Sequence, residues 1–341
     1  MTTTPEQRER RIWFAQSCSE LHRRFAGLTE GEPAGYIPEL ATVEPDRFGI
    51  AAMTVDGQGV GVGDADTRFT IQSSSKVLLH GLALDTHGRD EVLRRVGVAP
   101  TGEAFNALEL DDSRNRAPNP MVNAGAIATT DLVPGADFDE RLATVLSTFE
   151  AWLGHRPQID QEVWASERAT GNRNRALAYL MLSRGIISDR VEETLDLYFA
   201  QCSILVTVQD LAVIGATLAN GGVNPVTGAR AVGRAFTRDL LTVALTCGMY
   251  DYAGEWAYTV GIPAKSGVGG GIVGALPDVG GIAVFSPRLD EHGNSVRGIK
   301  VFEHLSERFD MHLFDPDRPW RRVGGTTGTA PDQTDPAPRG E

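Results

Sequence analysis

A hydroxyl and an amine three residues apart are the first chemistry the chain offers. In Ser73-Ser74-Ser75-Lys76, Ser73 and Lys76 stand at i and i+3. The apolar spacing that follows (Val77, Leu78, Leu82, Leu84) predicts a helix from Ser75 to Asp85. Both side chains then share one face at a helix entry, within reach of each other. An amine made neutral by burial can remove the serine proton there. The first-turn N–H groups favour the negative charge that develops in acyl transfer. The same spacing also occurs on solvated helix surfaces, so the motif needs context.

Context comes from how sparingly the chain uses lysine. Of 32 Lys and Arg residues, only Lys76, Lys265 and Lys300 are lysine. Arginine is effectively never deprotonated, so a site that requires a neutral amine is one place where it cannot substitute. Lys265-Ser266-Gly267 is similar to the K-T-G strand of penicillin-recognising enzymes. A phenol, Tyr250, stands in Cys247-Gly248-Met249-Tyr250-Asp251 and can relay a proton between serine, lysine and a leaving amine. Gly267-Val268-Gly269-Gly270-Gly271 reads either as backbone N–H groups approaching a substrate oxygen or as a tight turn. It is no phosphate loop, because no G-K-[ST] ends it. Neither H-E-x-x-H nor G-x-S-x-G occurs, and the seven histidines are isolated from one another, so a metal site or a Ser-His-Asp triad has no local support.

Composition narrows the field further. The chain has 341 residues, 41% hydrophobic and 23% charged, enough for one large domain or two packed subdomains. A formal net charge of −13, with no long basic run, argues against nucleic-acid binding. Three scattered cysteines (Cys18, Cys202, Cys247) support neither a disulfide framework nor a zinc knuckle. The polar opening lacks the pattern of a signal peptide. No stretch approaches the roughly 20 apolar residues of a membrane span. These features predict a cytoplasmic protein without membrane partners.

The elements that position these residues fall into two kinds. Residues 8–29 have helical spacing. Phe48 to Thr54 and Gln58 to Val62 read as strands of a hairpin turned at Asp56-Gly57. Phe69-Thr70-Ile71 is a short extended run entering Ser73. The stretch 86–248 is mostly helical, with clear segments at Asp139 to Trp152, Asn174 to Arg184, Val191 to Gln201 and Val208 to Leu218. Gly267 to Gly274 and Gly280 to Ser286 read as strands, and Ser295 to Leu313 as a short strand followed by a helix. The pattern predicts an α+β domain built from both chain ends, with a helical subdomain and the site in the crevice. The expected sheet subdomain is about 1–85 and 249–315, the helical one about 86–248. Residues 316–341, rich in Pro, Gly and charge, read as a disordered tail.

Read in order, these motifs resemble the glutaminase family. The segments that carry the resemblance are Gly35 to Leu40, Gln72 to Lys76, Asn119 to Ile127, Ser166-Glu167-Arg168 through Arg173-Asn174, and Tyr198 with Cys202-Ser203-Ile204. Cys247 to Asp251, Pro263 to Gly271 and Gly293 to Val296 complete it, over about residues 20–310. The chain is similar to the short bacterial form. Phe105-Asn106-Ala107 departs from the pattern, where the family usually carries a serine third.

The resemblance implies a β-lactamase/transpeptidase-like fold, with an antiparallel sheet and flanking helices. It implies hydrolysis of L-glutamine to L-glutamate and ammonia through an acyl-enzyme, without metal or cofactor, in a homodimer or homotetramer. By position, Ser73 is the nucleophile, Lys76 its base and Tyr250 a proton relay. Val268 N–H joins Ser73 N–H in an oxyanion hole. Asn123, Glu167, Asn174, Tyr198 and Tyr250 bind glutamine, with Tyr36 and Gln72 lining the pocket. Glu167 suits the ammonium of the substrate, and the asparagines and tyrosines its carboxylate. The rival readings are another S-x-x-K hydrolase, such as a β-lactamase, and a glutamine-binding protein without turnover.

Overall fold

Alternation along three strands decides how the molecule is layered. Ile50 and Ala52, Ile272 and Leu276, and Ile282 and Val284 belong to one buried cluster. Their neighbours Ala51, Val273, Ala275, Ala283 and Phe285 belong to another. Successive side chains of a strand point to opposite faces, so this is a sheet covered on both sides. The computed structural model describes residues 5–35 and 37–316.

In chain order, helix α1 (Pro5–Phe25) and the short α2 (Pro38–Ala41) precede the hairpin β1 (Gly49–Thr54) and β2 (Gly59–Gly63). Strand β3 (Phe69–Thr70) leads through a 3-10 turn, Gln72–Ser74, into α3 (Ser75–Arg95). Then come α4 (Asn123–Asp131), α5 (Phe138–Leu153), β4 (Gln158–Ile159), α6 (Gln161–Thr170), α7 (Asn172–Ser183) and α8 (Val191–Cys202). Strand β5 (Ile204–Val206), α9 (Val208–Ala219), α10 (Arg234–Cys247) and, after a 3-10 turn at Tyr250–Tyr252, α11 (Ala253–Thr259) follow. The chain closes with β6 (Ala264–Gly267), β7 (Gly271–Leu276), β8 (Gly280–Phe285) and α12 (Val296–Phe309).

The main sheet is antiparallel, in the order β2-β1-β8-β7-β6. Strand β1 pairs β8, with Ala51 opposite Ala283, so the two chain ends meet in one sheet, as the sequence predicts. Helices α1, α11 and α12 cover one face through Phe14, Trp256, Phe302 and Leu305. The other face carries α9, in which every residue except Gln209 and Asp210 is buried. A helix apolar all round belongs between layers. It starts on a capping box formed by Thr207 and Asp210.

Its approach to the sheet depends on missing Cβ atoms. A Cβ on Gly215 would stand 2.4 Å from the Gly274 carbonyl oxygen, and one on Gly281 would stand 2.2 Å from that of Ala212.

Several expectations are revised. The predicted single strand Gly267 to Gly274 is the end of β6, a turn, and the start of β7; Gly270, at φ +93, makes the reversal. No short strand follows Ser295. Its hydroxyl accepts the Gly298 N–H and caps α12 directly. Helix α1 stops at Phe25, and α3 runs on past Asp85 to Arg95, broken at Gly88 with φ 76. Strand β3 joins a separate three-stranded sheet, β3-β5-β4. The predicted tail lies, from residue 317, outside the described residues.

Arginine is also more than a surface cation here. Arg141 is 1% exposed and donates to the carbonyls of Thr130 and Val133 and to Glu193. Arg297, 2% exposed, donates to the carbonyls of Ala26, Leu28 and Asp46. Among the described residues, no helix is long and apolar enough to cross a membrane.

The helix–sheet contact gives a paired expectation. Gly215→Ala forces backbone apart and is expected to destabilise by about 1–3 kcal/mol. Gly254→Ala, in α11 with nothing within 4 Å of the new methyl, is expected to stabilise by about 0.5–1 kcal/mol. Urea denaturation of both variants checks the difference in sign.

Candidate active site

The serine turn is held from two sides. Ile71 N–H donates to the Ile204 carbonyl at 2.8 Å, fixing the strand before it. Gln72 sits at φ 49, a left-handed conformation that costs a residue with a Cβ on the order of 1–3 kcal/mol. Behind the turn runs β6. A Cβ on Gly267 would lie 2.9 Å from the Ile71 carbonyl oxygen, and one on Gly269 would lie 2.6 Å from that of Thr70. Those two glycines let the end of β6 and the loop after it press against the serine turn.

The serine triplet separates by partner. Ser74 Oγ donates to the Lys265 carbonyl (3.4 Å) and Ser75 Oγ to the Gln72 carbonyl (2.7 Å). Ser73 lines a cavity of about 250 Å³ and hydrogen-bonds the Tyr250 phenol. Ser73 N–H comes before the first bond of the helical turn, where N–H groups lack an intrahelical partner. Val268 also lines the cavity, one residue past the last β6–β7 pair, Gly267 opposite Gly271. Its N–H is therefore outside the ladder.

Lys76 is 1% exposed. Its Nζ donates to Asn123 Oδ1 at 2.8 Å and to the Met121 carbonyl at 3.4 Å. A neutral amine has two N–H groups and one lone pair, so two acceptors leave the lone pair unused. Burial lowers the Lys76 pKa to about 8, partly countered by Cys202 and by Glu167. The Cys202 thiol is itself pushed up to about 12, chiefly by burial, and is uncharged at that pH. Glu167 is thus the charge that matters.

Asn123 Oδ1 also accepts from the Tyr198 hydroxyl at 3.3 Å, which fixes the orientation of the amide. Asn123 Nδ2 then donates to Asn174 Oδ1 at 2.9 Å. That leaves the Asn174 NH₂ as a donor at the cavity wall. Asn123 opens α4 and Asn174 lies in the first turn of α7, so two positive helix ends border the cavity. Glu167, on α6, is 9% exposed, and burial raises its pKa to about 7. A hydrogen bond from Gln72 and the charge of Lys76 oppose that rise, whereas Glu39 adds to it. A half-protonated buried carboxylate at neutral pH is a site prepared for a cation.

Tyr250 is held at φ 60 in its 3-10 turn. Its hydroxyl donates to the Ser266 carbonyl at 3.0 Å, so toward Ser73 it acts as acceptor. Burial pushes its pKa above the ordinary phenol value. The Lys265 ammonium nitrogen lies 4.2 Å from the centre of its ring. Lys265 Nζ donates to the carbonyls of Gly248 (2.9 Å) and Ser266 (2.5 Å). Burial, then repulsion from Lys76, holds its pKa well below the usual lysine value.

The structure therefore brings Gln72, Ser73, Asn123, Glu167, Asn174, Tyr198 and Val268 to one cavity wall, with Lys76 and Tyr250 directly behind them. Tyr36 lies outside the described residues. Sequence reasoning assigned no role to Ile37, Phe105, Arg173 or Cys202, which share the lining. Phe105 packs against Tyr250 with ring centres 4.8 Å apart and planes tilted by 41°, and Arg173 Nε donates to the Asn106 carbonyl at 2.5 Å. Arg173 and Cys202 stood inside recognised segments, but their types gave no sign that they face a ligand.

Comparison with known proteins identifies the family. The family model "Glutaminase" matches residues 31–314. A glutaminase of Nostoc sp. is 59% identical over 297 residues, covering 87% of this chain and 89% of that protein. The crystal structure of Mglu in its glutamate form superposes with a TM-score of 0.84 at 47% identity, over 90% of this chain and 70% of that one. The Bacillus subtilis glutaminase YbgJ, solved as a covalent complex with 5-oxo-L-norleucine formed by reaction with 6-diazo-5-oxo-L-norleucine, gives 0.79 at 34% identity, over 89% and 99%.

The coupling between Lys76 and Glu167 is measurable. Since the lysine charge lowers the Glu167 pKa, Lys76→Met is expected to move the Glu167 midpoint upward from about 7. Glu167→Gln is expected to move Lys76 downward from about 8. Carbon-13 NMR titration of the two side chains checks both directions; an unmoved midpoint shows that the groups do not sense each other.

Proposed function

The chain belongs to the glutaminase family and hydrolyses L-glutamine to L-glutamate and ammonia, and on that premise we propose that Ser73 is the nucleophile and Lys76 the base that activates it. Its fold is β-lactamase/transpeptidase-like, an antiparallel sheet with flanking helices. The observation that carries the assignment of roles is the contrast between the two candidate bases around Ser73. Lys76, at about 8, is neutral in about a tenth of molecules at pH 7. Tyr250, raised above its ordinary value, holds almost no phenolate. Lysine takes the proton and the phenol relays it.

In this reading the ammonium of glutamine pairs with Glu167, and its carboxylate meets Asn123, Asn174, Tyr198 and Tyr250. Gln72, and Tyr36 by family position, complete the walls. Ser73 Oγ attacks the side-chain amide carbon as its proton passes to Lys76. The oxyanion is held by the N–H groups of Ser73 and Val268. The C–N bond then breaks as the proton is returned, through Tyr250, to the departing nitrogen, and ammonia leaves. A water molecule attacks the ester, Lys76 takes its proton, and glutamate is released as Ser73 regains a hydrogen. The YbgJ relative forms a covalent complex on reaction with 6-diazo-5-oxo-L-norleucine, which supports a nucleophilic mechanism in this family.

The domain reading belongs to the same proposal: a sheet subdomain (about 1–85 and 249–315) and a helical one (about 86–248) with the pocket between them. Ser73 and Val268 line it from the first, Asn123, Glu167, Asn174 and Tyr198 from the second. A cytoplasmic homodimer or homotetramer completes the picture; Cys18, Cys202 and Cys247 are buried, unbridged thiols, which suits a reducing compartment.

Lys76→Arg is the direct test. General-base catalysis contributes about 100- to 10,000-fold, and a loss of that size in kcat for ammonia release is expected. Circular dichroism and L-glutamate binding serve as folding controls. A folded variant that keeps more than about a tenth of parental kcat makes Lys76 an electrostatic group only.

The pH profile follows from the same two groups. Glu167 must be charged, which requires pH above about 7, and Lys76 neutral, above about 8. Parental kcat/KM is therefore expected to rise with pH through both values, and Glu167→Gln to lose the lower step.

A further inference from the structure

Helix α2 sets a second carboxylate near Glu167. It packs against α6, the helix that carries Glu167, and Ile37, the residue before it, lines the catalytic cavity. Glu39 stands in its single turn and is half-buried. The Glu39 Oε2 atom is shielded from solvent and has no hydrogen-bond partner among the described residues. A carboxylate oxygen left this way costs free energy, so packing alone gives no reason for a glutamate here.

The groups around Glu167 can be taken element by element. From α3, Lys76 attracts its charge, and from the serine turn Gln72 hydrogen-bonds it. Helix α8 also packs against α6. It supplies Cys202, a neutral thiol, and Asp196, which accepts from Trp164 and pairs with Arg168. Arg173, on the cavity wall from α7, is engaged by the Asn106 carbonyl. Glu39, from α2, repels Glu167 and raises its pKa. Repulsion between two carboxylates is unfavourable in the free protein and is relieved when a cation meets one of them.

We propose that Glu39 is a specificity-determining residue of the reaction, a positioning charge that acts through Glu167, so that the two carboxylates together select a substrate carrying an α-ammonium over one without it. The inference rests on the reading of Glu167 as the ammonium partner. Glu39 is not part of the cavity lining, so it acts at a distance and not by contact. In the free protein its repulsion favours a proton on Glu167. A substrate ammonium favours loss of that proton and is then held by both charges.

The test is Glu39→Gln, close in shape and uncharged, beside Glu39→Asp, which keeps the charge. In Glu39→Gln the acid limb of kcat/KM is expected to move to lower pH, because Glu167 loses the repulsion that raises its pKa. At about pH 9, where Glu167 is ionised in both proteins, KM for glutamine is expected to rise about two- to fivefold with kcat unchanged. The preference for L-glutamate over glutarate as competitive inhibitor is expected to fall by the same factor, and Glu39→Asp to keep the parental values. An acid limb that stays in place overturns the proposal, as does an unchanged preference for glutamate. So does a Glu39→Asp variant that behaves like Glu39→Gln, since that marks a packing role. Should Glu39→Gln fail to fold, Glu39→Ala also removes the charge and is read in the same way. Glu167→Gln separates the proposal from the reading beneath it. If that variant keeps the parental preference for glutamate, Glu167 is not the ammonium partner and the proposal falls with it. A preference lost there but kept in Glu39→Gln overturns the role of Glu39 alone.

Discussion

Everything at this site depends on an amine buried without a carboxylate to neutralise it by direct contact. Among the described residues, Lys76 Nζ donates to a side-chain amide oxygen and a backbone carbonyl. Such acceptors solvate an N–H group but do not stabilise a full positive charge as a carboxylate would. The consequence is a pKa near neutrality, which is what a base needs. A direct salt bridge at this position would return the lysine to permanent charge and remove its chemistry. Glu167 is near enough to be felt and engages Gln72 instead.

This arrangement sets a stability cost with a definite sign. The folded-state pKa of Lys76 lies below its unfolded value, so folding favours the neutral form. The cost is fully present below about pH 8 and is relieved as pH rises toward the unfolded value. Glu167 behaves in the opposite direction: its folded pKa is raised, so its cost appears as pH rises through the interval from 4.5 to about 7. At neutral pH the folded chain therefore carries both penalties, along with the left-handed backbone at Gln72 and Tyr250. Functional sites commonly hold such strain against the stability of the surrounding core. Here that surround is the double-covered sheet and the glycine contacts of β6 and α9.

How much of this was legible depended on whether the signal was local. The S-x-x-K spacing and the scarcity of lysine pointed to Ser73 and Lys76, because a neutral-amine requirement restricts residue choice directly. The Asp56-Gly57 hairpin was legible for the same reason, since Gly57 at φ +83 answers a local steric demand. Helix α4 gave little periodic signal, because Ala124, Gly125, Ala126 and Ala128 are small and the helix is buried on every side. The turn between β6 and β7 is one of two readings the sequence leaves open, because five residues rich in glycine do not say where a strand ends. Phe105 and Arg173 reach the cavity from loop and helix positions that only tertiary folding brings together. No spacing rule reports that.

The roles of Glu167 and the asparagines show the limit of the local view and what replaces it. Taken alone, Glu167 is a helix residue with a charge; its meaning arises because α6 buries it and the charge of Lys76 acts on it. Asn123 is likewise the joint between two tasks. Its Oδ1 accepts an N–H of Lys76, and its Nδ2 orients Asn174 at the cavity wall. One amide thus ties the position of Lys76, the proposed proton acceptor, to that of Asn174, the proposed recognition group. Under the proposed roles, a substrate seated against Asn174 would present its amide to Ser73 at a distance that the Asn123 bridge helps to fix. Selectivity for chain length then follows from rigid geometry, since a displacement of about 1 Å at the reacting carbon costs on the order of 100-fold in rate.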